Sequence, residues 1–212
     1  RIKIFWVFIF FLGFTLTFFF FFQFYSEHDE LLLKDNFWAE VTFEGDSVGV
    51  THFRIHYPAS AETVFLHLIN INALKKLHKS YADSKSLSLE NYQKILQTQP
   101  ENFSDLIALI QDAVTTDLSN RKQNLNWMDY WYMRFNLPWP FSDKWVVQEA
   151  RVNETQAVQG LYRVEYKMTH GNLKHLSGWW EVQSLPNRAG WSEFRGETHS
   201  HPGLAIPQFL AK

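Results

Sequence analysis

Hydrophobic and polar positions follow three different rules along this chain. Ile4 to Phe22 is a run of 19 residues without a charge, relieved only by Gly13, Thr15 and Thr17. At about 1.5 Å per residue such a helix would span about 28 Å, close to the ~30 Å hydrocarbon thickness of a bilayer. Between Ala61 and Leu118 the apolar residues recur at helical spacing. From Trp127 onward they alternate, as in strands with one face buried.

In order, Leu31–Trp38 is a connector, and 38–57 reads as a hairpin turning at Gly45-Asp46. The apolar members Val48, Val50, Phe53, Ile55 and Tyr57 slip by one position between Val50 and Phe53, which predicts a bulge or a looser register. Pro58 ends the hairpin, and Ser60 can cap a helix whose buried stripe is Val64, Phe65, Leu68 and Ile69, continuing to Leu74 and Leu77 past a break at 70–72. A second helix starts at Ser88 and stops at Pro100. A third opens at Asn102, with Asp105 at the capping-box position and a stripe of Phe103, Leu106, Ile107, Ile110, Ala113, Val114 and Leu118. That stripe predicts a long helix packed on a sheet. Five strands follow at 127–135, 145–153, 161–169, 177–184 and 190–199. Pro207 then stands where a helix could begin. Strands and helices segregated in this way predict an α+β fold, not alternating βαβ units.

Composition adjusts the picture in a few places. Arg1 and Lys3 precede the apolar run, while Glu27, Asp29 and Glu30 follow it. No Ala-x-Ala pattern follows either, so residues 1–25 read as an uncleaved transmembrane anchor, with a secretory signal segment as the alternative. The positive-inside rule then puts the rest on the non-cytoplasmic side, periplasmic or lumenal; cleavage would make it an exported soluble protein. Residues 26–47 form the juxtamembrane connector and first strand, and 48–212 the folded domain. Without Arg1 and Lys3 the chain carries 20 − 2 = 18 basic against 22 acidic residues, and no basic stretch, so nucleic acid is not an expected partner. The absence of cysteine excludes disulfides, thiolate metal sites and a cysteine nucleophile. His199-Ser-His201 has two-residue spacing but no third ligand marked nearby, and Ser142-Asp143 and Ser192-Glu193 are not set up as nucleophile and base. No catalytic residue, metal or cofactor is expected.

Three motifs carry a resemblance. Asn136-Leu-Pro-Trp-Pro-Phe-Ser-Asp-Lys-Trp-Val-Val, Gly178-Trp-Trp-Glu-Val-Gln-Ser-Leu-Pro and Pro202-Gly-Leu-Ala-Ile-Pro-Gln-Phe-Leu follow one another in the order found in START (steroidogenic-acute-regulatory-related lipid-transfer) domains. The phosphatidylcholine-transfer members of that family are nearest in motif. Lys144-Trp145 stands where the family usually has Arg-Asp, and Leu204 near its second Gly. The resemblance spans roughly 48–212 and implies a helix-grip fold, a curved antiparallel sheet around a long helix. It also implies a tunnel holding one lipid or other hydrophobic small molecule in a monomer. The cavity candidates are Tyr130, Tyr132, Arg134, Trp145, Glu149, Tyr162, Tyr166 and Trp180. If Arg134 points inward it needs a partner such as Glu149, Glu165 or Glu181, because an unpaired buried charge is costly. The alternative is an exposed cross-strand ion pair worth under ~1 kcal/mol. Trp179 and Trp180, being adjacent, face opposite sides of a strand, so one faces the tunnel or core and the other needs cover from a helix or membrane. The expected function is membrane-anchored binding, and transfer, of a hydrophobic ligand. The resemblance also reaches polyketide cyclases and aromatases, which makes a cyclase-like enzyme the runner-up; a sensor that never releases its lipid is the third reading.

The anchor expectation has a direct check. The full chain should stay in the membrane pellet through alkaline carbonate washing, and a chain lacking residues 1–25 should be released.

Overall fold

The computed structural model describes residues 36–44, 48–77, 81–110, 124–136 and 143–201. Eight strands form one antiparallel sheet: β1 (Phe37–Glu44), β2 (Val48–Tyr57), β3 (Tyr81–Leu87), β4 (Asn126–Phe135), β5 (Lys144–Asn153), β6 (Leu161–Gly171), β7 (His175–Ser184) and β8 (Ser192–His201). Their order across the sheet is β1-β2-β8-β7-β6-β5-β4-β3. The four α-helices among the described residues are α1 (Ala61–Ile69), α2 (Leu74–Leu77), α3 (Leu89–Thr98) and α4 (Phe103–Leu109), with a 3₁₀ turn, Ile71–Ala73, between the first two. The predicted caps of the three longer helices are in place: Ser60 Oγ accepts from the Thr63 amide, Ser88 Oγ from Asn91, and Asn102 Oδ1 from Asp105.

Alternation along each strand sends its side chains to two faces with different covers. On the concave face, Phe53, Ile55, Phe194, Val182, Trp180, Tyr162, Val164, Val152 and Trp131 form the main core, and α1 lies on it. Phe65 of α1 is fully buried, stacked on Tyr162 at 4.5 Å between ring centroids and tilted against Trp180 at 6.1 Å. On the outer face, Tyr132, Trp145 and Val147 form a second core with Leu87, Tyr92, Ile95, Leu106 and Ile110, so α3 and α4 cover only the β3–β5 part of that face.

Several expectations need correction. One strand has no counterpart among the predicted elements: β3, Tyr-Ala-Asp-Ser-Lys-Ser-Leu, lies at the sheet edge. Its two buried serines satisfy the turn between α1 and α2: Ser84 Oγ donates to the Ile71 carbonyl (2.7 Å), and the Ser86 amide donates to Asn72 Oδ1 (3.0 Å). No bulge interrupts β2, whose register with β1 and β8 is continuous. Thr51 simply takes the concave-side position, and Val50 belongs to the outer face. The register shifts fall instead at Tyr81/Asp83 and at Val147/Gln148. The third helix is described only as Phe103–Leu109; its expected continuation through Ala113, Val114 and Leu118 lies outside the described residues, as do the apolar run at 4–22, the Pro138–Pro140 turn and the helix start at Pro207. Among the described residues no helix is long and apolar enough to cross a membrane. The long gripped helix of the expected fold is likewise not among them; on the concave face stands the nine-residue α1.

Removing the Phe65 ring leaves Tyr162 and Trp180 facing a void. Phe65→Ala is expected to cost about 3–5 kcal/mol of stability, read as a lower denaturation midpoint at unchanged denaturant slope.

Candidate functional site

Paired residues across the ladder share a face, so the register lays out the concave surface in rows. Toward one end, Phe53, Gly196, Trp180 and Val164 make an apolar row, followed by Ile55, Phe194, Val182 and Tyr162. This half is filled by α1. The next row in the other direction is small and polar: Thr51, Thr198, Gly178 and Tyr166. Beyond it come Ser200, Leu176, Met168 and Gln148. Two glycines set the relief, because a Cβ at Gly196 would meet Phe53 at 2.7 Å, and one at Gly178 would meet the Tyr166 hydroxyl at 2.7 Å.

The polar half holds one hydroxyl pair and, in the row of Gln148, two buried groups without a partner: Gln148 Oε1 and, two strands away, Ser86 Oγ. Tyr166 Oη and Thr198 Oγ1 are 2.5 Å apart. Gln148 is 2% exposed, and its Oε1 has no hydrogen-bond partner. A buried amide oxygen in that state costs ~1–3 kcal/mol relative to a satisfied one, so its presence calls for an explanation. The β5–β6 register shift lies beside it. Val147 pairs with His170 and Gln148 with Met168, which leaves Thr169 as the extra residue of a bulge. Two charged strand residues share this face among those described, both toward the β4–β5 side. Burial raises the Asp129 carboxyl above the usual carboxylate range, against the opposing bonds from Trp131 Nε1 (2.8 Å) and the Tyr130 amide (2.9 Å). Burial lowers Lys144, whose Nζ donates to the Asn172 carbonyl at 3.4 Å.

The eight predicted cavity residues divide between the faces. Tyr162, Tyr166 and Trp180 are on the concave face, whereas Tyr130, Tyr132, Arg134, Trp145 and Glu149 are on the outer one. Arg134 does not pair with Glu149, Glu165 or Glu181. It forks onto Asp143 Oδ2 through Nε (2.9 Å) and Nη2 (2.7 Å) and lies over the Phe103 ring at 4.4 Å. Glu149 instead accepts from Tyr92 Oη (2.8 Å), and Tyr92 stacks on Tyr130 at 4.2 Å. Glu181 is 7% exposed between Arg163 (3.1 Å) and Arg195, and Glu165 also bonds Arg163. Trp179 and Trp180 do face opposite ways, but the cover on Trp179 is the Arg163 guanidinium, 4.4 Å from the ring, not a helix. His199 is engaged by Glu197, and no group of three or more His, Asp or Glu among the described residues is placed to hold a metal ion. Ser192 is buried on the concave face, whereas Glu193 bonds His56 on the outer face, so the two never meet as nucleophile and base. Sequence reasoning passed over Gln148, Thr51 and Thr198; the signal available was polarity at inward positions of otherwise apolar strands.

No family model matches the sequence, and no curated protein matches it. Solved structures do match in shape. A STAR-related lipid transfer protein fragment from Xanthomonas axonopodis superposes with a TM-score of 0.50 at 16% identity, over 82% of this chain and 87% of that one. The human StarD13 lipid transfer and protein localization domain superposes with a TM-score of 0.52 at 7% identity, over 88% and 86%. At such identities the likeness concerns the fold, which is START-like.

Two measurements follow from these environments. Replacing Gln148 by Met removes the unmatched oxygen at similar volume and should stabilise the ligand-free protein by about 1–3 kcal/mol, seen as a higher melting temperature. On the outer face, burial, with Glu149 beside it, pushes the Tyr92 hydroxyl up to about 12 and burial raises Tyr132; on the concave face burial raises Tyr81 as well. A tyrosine that holds its proton more tightly when folded contributes stability fully below its unfolded value of ~10 and loses it as the pH rises further. Stability should therefore fall between pH ~10 and ~12, and less steeply in Tyr92→Phe, by denaturant titration at each pH.

Proposed function

We propose that this chain binds one lipid or other hydrophobic molecule against the polar half of the concave face. The observation that carries this reading is Gln148, a buried amide oxygen left without a partner on a surface whose neighbouring positions are Met168, Leu176, Tyr166, Thr198, Ser200 and Trp131. A ligand donating one hydrogen bond there would satisfy it, and burial of the ligand's apolar body at ~25 cal/mol per Å² would supply most of the affinity. The START-like shape supports the same reading, since the two solved domains it matches are described as lipid transfer proteins. Both charged strand residues described on this face already have protein partners, which favours an uncharged polar end such as a hydroxyl or amide over a phosphate. Binding is non-covalent and needs no cofactor. The apolar run Ile4–Phe22 holds the domain on the non-cytoplasmic side of a membrane, beside its lipid source, which favours short-range transfer.

The test is to purify the full chain in mild detergent and identify co-purifying hydrophobic molecules by mass spectrometry. One neutral lipid class in near-stoichiometric amount is expected, and its loss on Gln148→Met at undiminished thermal stability. Absence of any hydrophobic ligand, with no binding to presented lipids, would sink the reading. Movement of that lipid between donor and acceptor vesicles then separates transfer from retention by a sensor.

A further inference from the structure

The two ends of the sheet differ in chemistry. Because every strand pair is antiparallel, the starts of β1, β4, β6 and β8 lie at the same end as the finishes of β2, β5 and β7. The connections at that end are almost uncharged. Residues 153–161 contain one charged side chain, Glu154, which is buried. Residues 185–191 contain only Arg188, which lies over the Trp191 ring at 3.3 Å and donates to Asn36 Oδ1 at 3.1 Å. Residues 124–128 contain none. What this end shows to solvent is mostly uncharged: Val158 is fully exposed at the β5–β6 turn, Leu125, Met128 and Trp38 are 52, 40 and 45% exposed, and Asn124, Asn126, Thr155, Gln156, Gln159 and Asn187 stand among them. At the far end stand Asp143, Lys144, Lys174, His175 and His201.

Single exposed apolar residues are ordinary. The rim is unusual for where the chain enters it. β1 begins here, at Phe37, and 14 residues, 23–36, separate it from the uncharged run Ile4–Phe22. Fourteen residues reach at most about 50 Å even when fully extended. A ten-residue strand is itself about 33 Å long, so along the chain the rim is the nearer end of the sheet to that run. Exposed aliphatic side chains with tryptophans around them and few charges suit the headgroup boundary of a bilayer, where Trp is enriched.

We propose that this end of the sheet docks on the surface of the phospholipid bilayer that holds Ile4–Phe22, with the β5–β6 turn at Val158 entering the headgroup layer. The proposal rests on the membrane-embedded reading of that run. Because Arg188 is the one basic side chain among the described residues of these connections, docking is driven by apolar contact and needs no anionic lipid.

The chain has no cysteine, so single thiols can be introduced without background. The full chain, reconstituted in vesicles of phosphatidylcholine alone, would carry an environment-sensitive fluorophore at Val158→Cys or, as a far-end control, at Lys174→Cys. Expected is a blue shift at position 158 with loss of most of its emission to headgroup-level nitroxide lipids, and neither effect at 174. If the chain resists carbonate extraction but both probes behave as in water, docking is wrong and the anchor stands. If carbonate releases the chain while position 158 is still quenched, the anchor reading fails and rim docking survives on its own. Release by carbonate without quenching removes both. Formation of a 158–158 disulfide dimer in place of lipid quenching would overturn the proposal in favour of a second copy as the occupant.

Discussion

Phe65 sets the working layout of this domain. Its ring is the wedge by which α1 sits on the concave face, seated on Tyr162 and tilted against Trp180. The seat exists because Gly196 lets Trp180 and Phe53 close over the backbone between them. With α1 held there, one half of the face is a filled aromatic and aliphatic core. The other half is left with a tyrosine–threonine hydroxyl pair, an unmatched glutamine oxygen and, in the same row, the unmatched Ser86 hydroxyl. Protein interiors rarely leave buried polar groups unpaired. The filled half provides the rigidity against which an unsatisfied group can persist, and the bulge at Thr169 is the local irregularity that accompanies it.

The outer face is organised by charge and by a second, smaller core. Glu181 is nearly buried between Arg163 and Arg195, an arrangement in which removing either arginine would leave a carboxylate short of a partner. The ladder continues to Glu193 and His56, and Arg163 also roofs Trp179. Where this ladder gives way, α3 and α4 cover Tyr132, Trp145 and Val147. The residues that attracted attention as an inward-facing Tyr-Tyr-Arg stripe therefore belong to a helix-covered structural core.

Much of the element order was legible in the residues. Helix starts at Ser60, Ser88 and Asn102 were legible because capping is local chemistry, settled within four residues. The strands after Trp127 were legible because half-buried strands alternate and their turns carry Gly, Pro and Asn. β3 was not, since its inward residues include two serines, of which Ser84 bonds the backbone of a turn 13 residues earlier and Ser86 donates its amide to that turn's Asn72 side chain. The β2 slip was misleading for a related reason: Thr51 fills an inward position that the pattern reserves for an apolar residue.

The sequence by itself determined that 48–201 is a helix-then-meander α+β chain, and it determined which residues of any one strand share a face. Period two settles the second point wherever no bulge interrupts the strand. It did not determine how the faces of one strand relate to those of the next. That depends on register, and a single extra residue inverts it. Tyr130, Tyr132 and Arg134 look, in sequence, as well placed for a cavity as Tyr162, Tyr166 and Trp180. Only the paired sheet, with its helices on opposite sides, puts the first three outside and the last three in. Gln148 emerged in the same way, because burial without a partner is a property of the assembled surface and has no local signature.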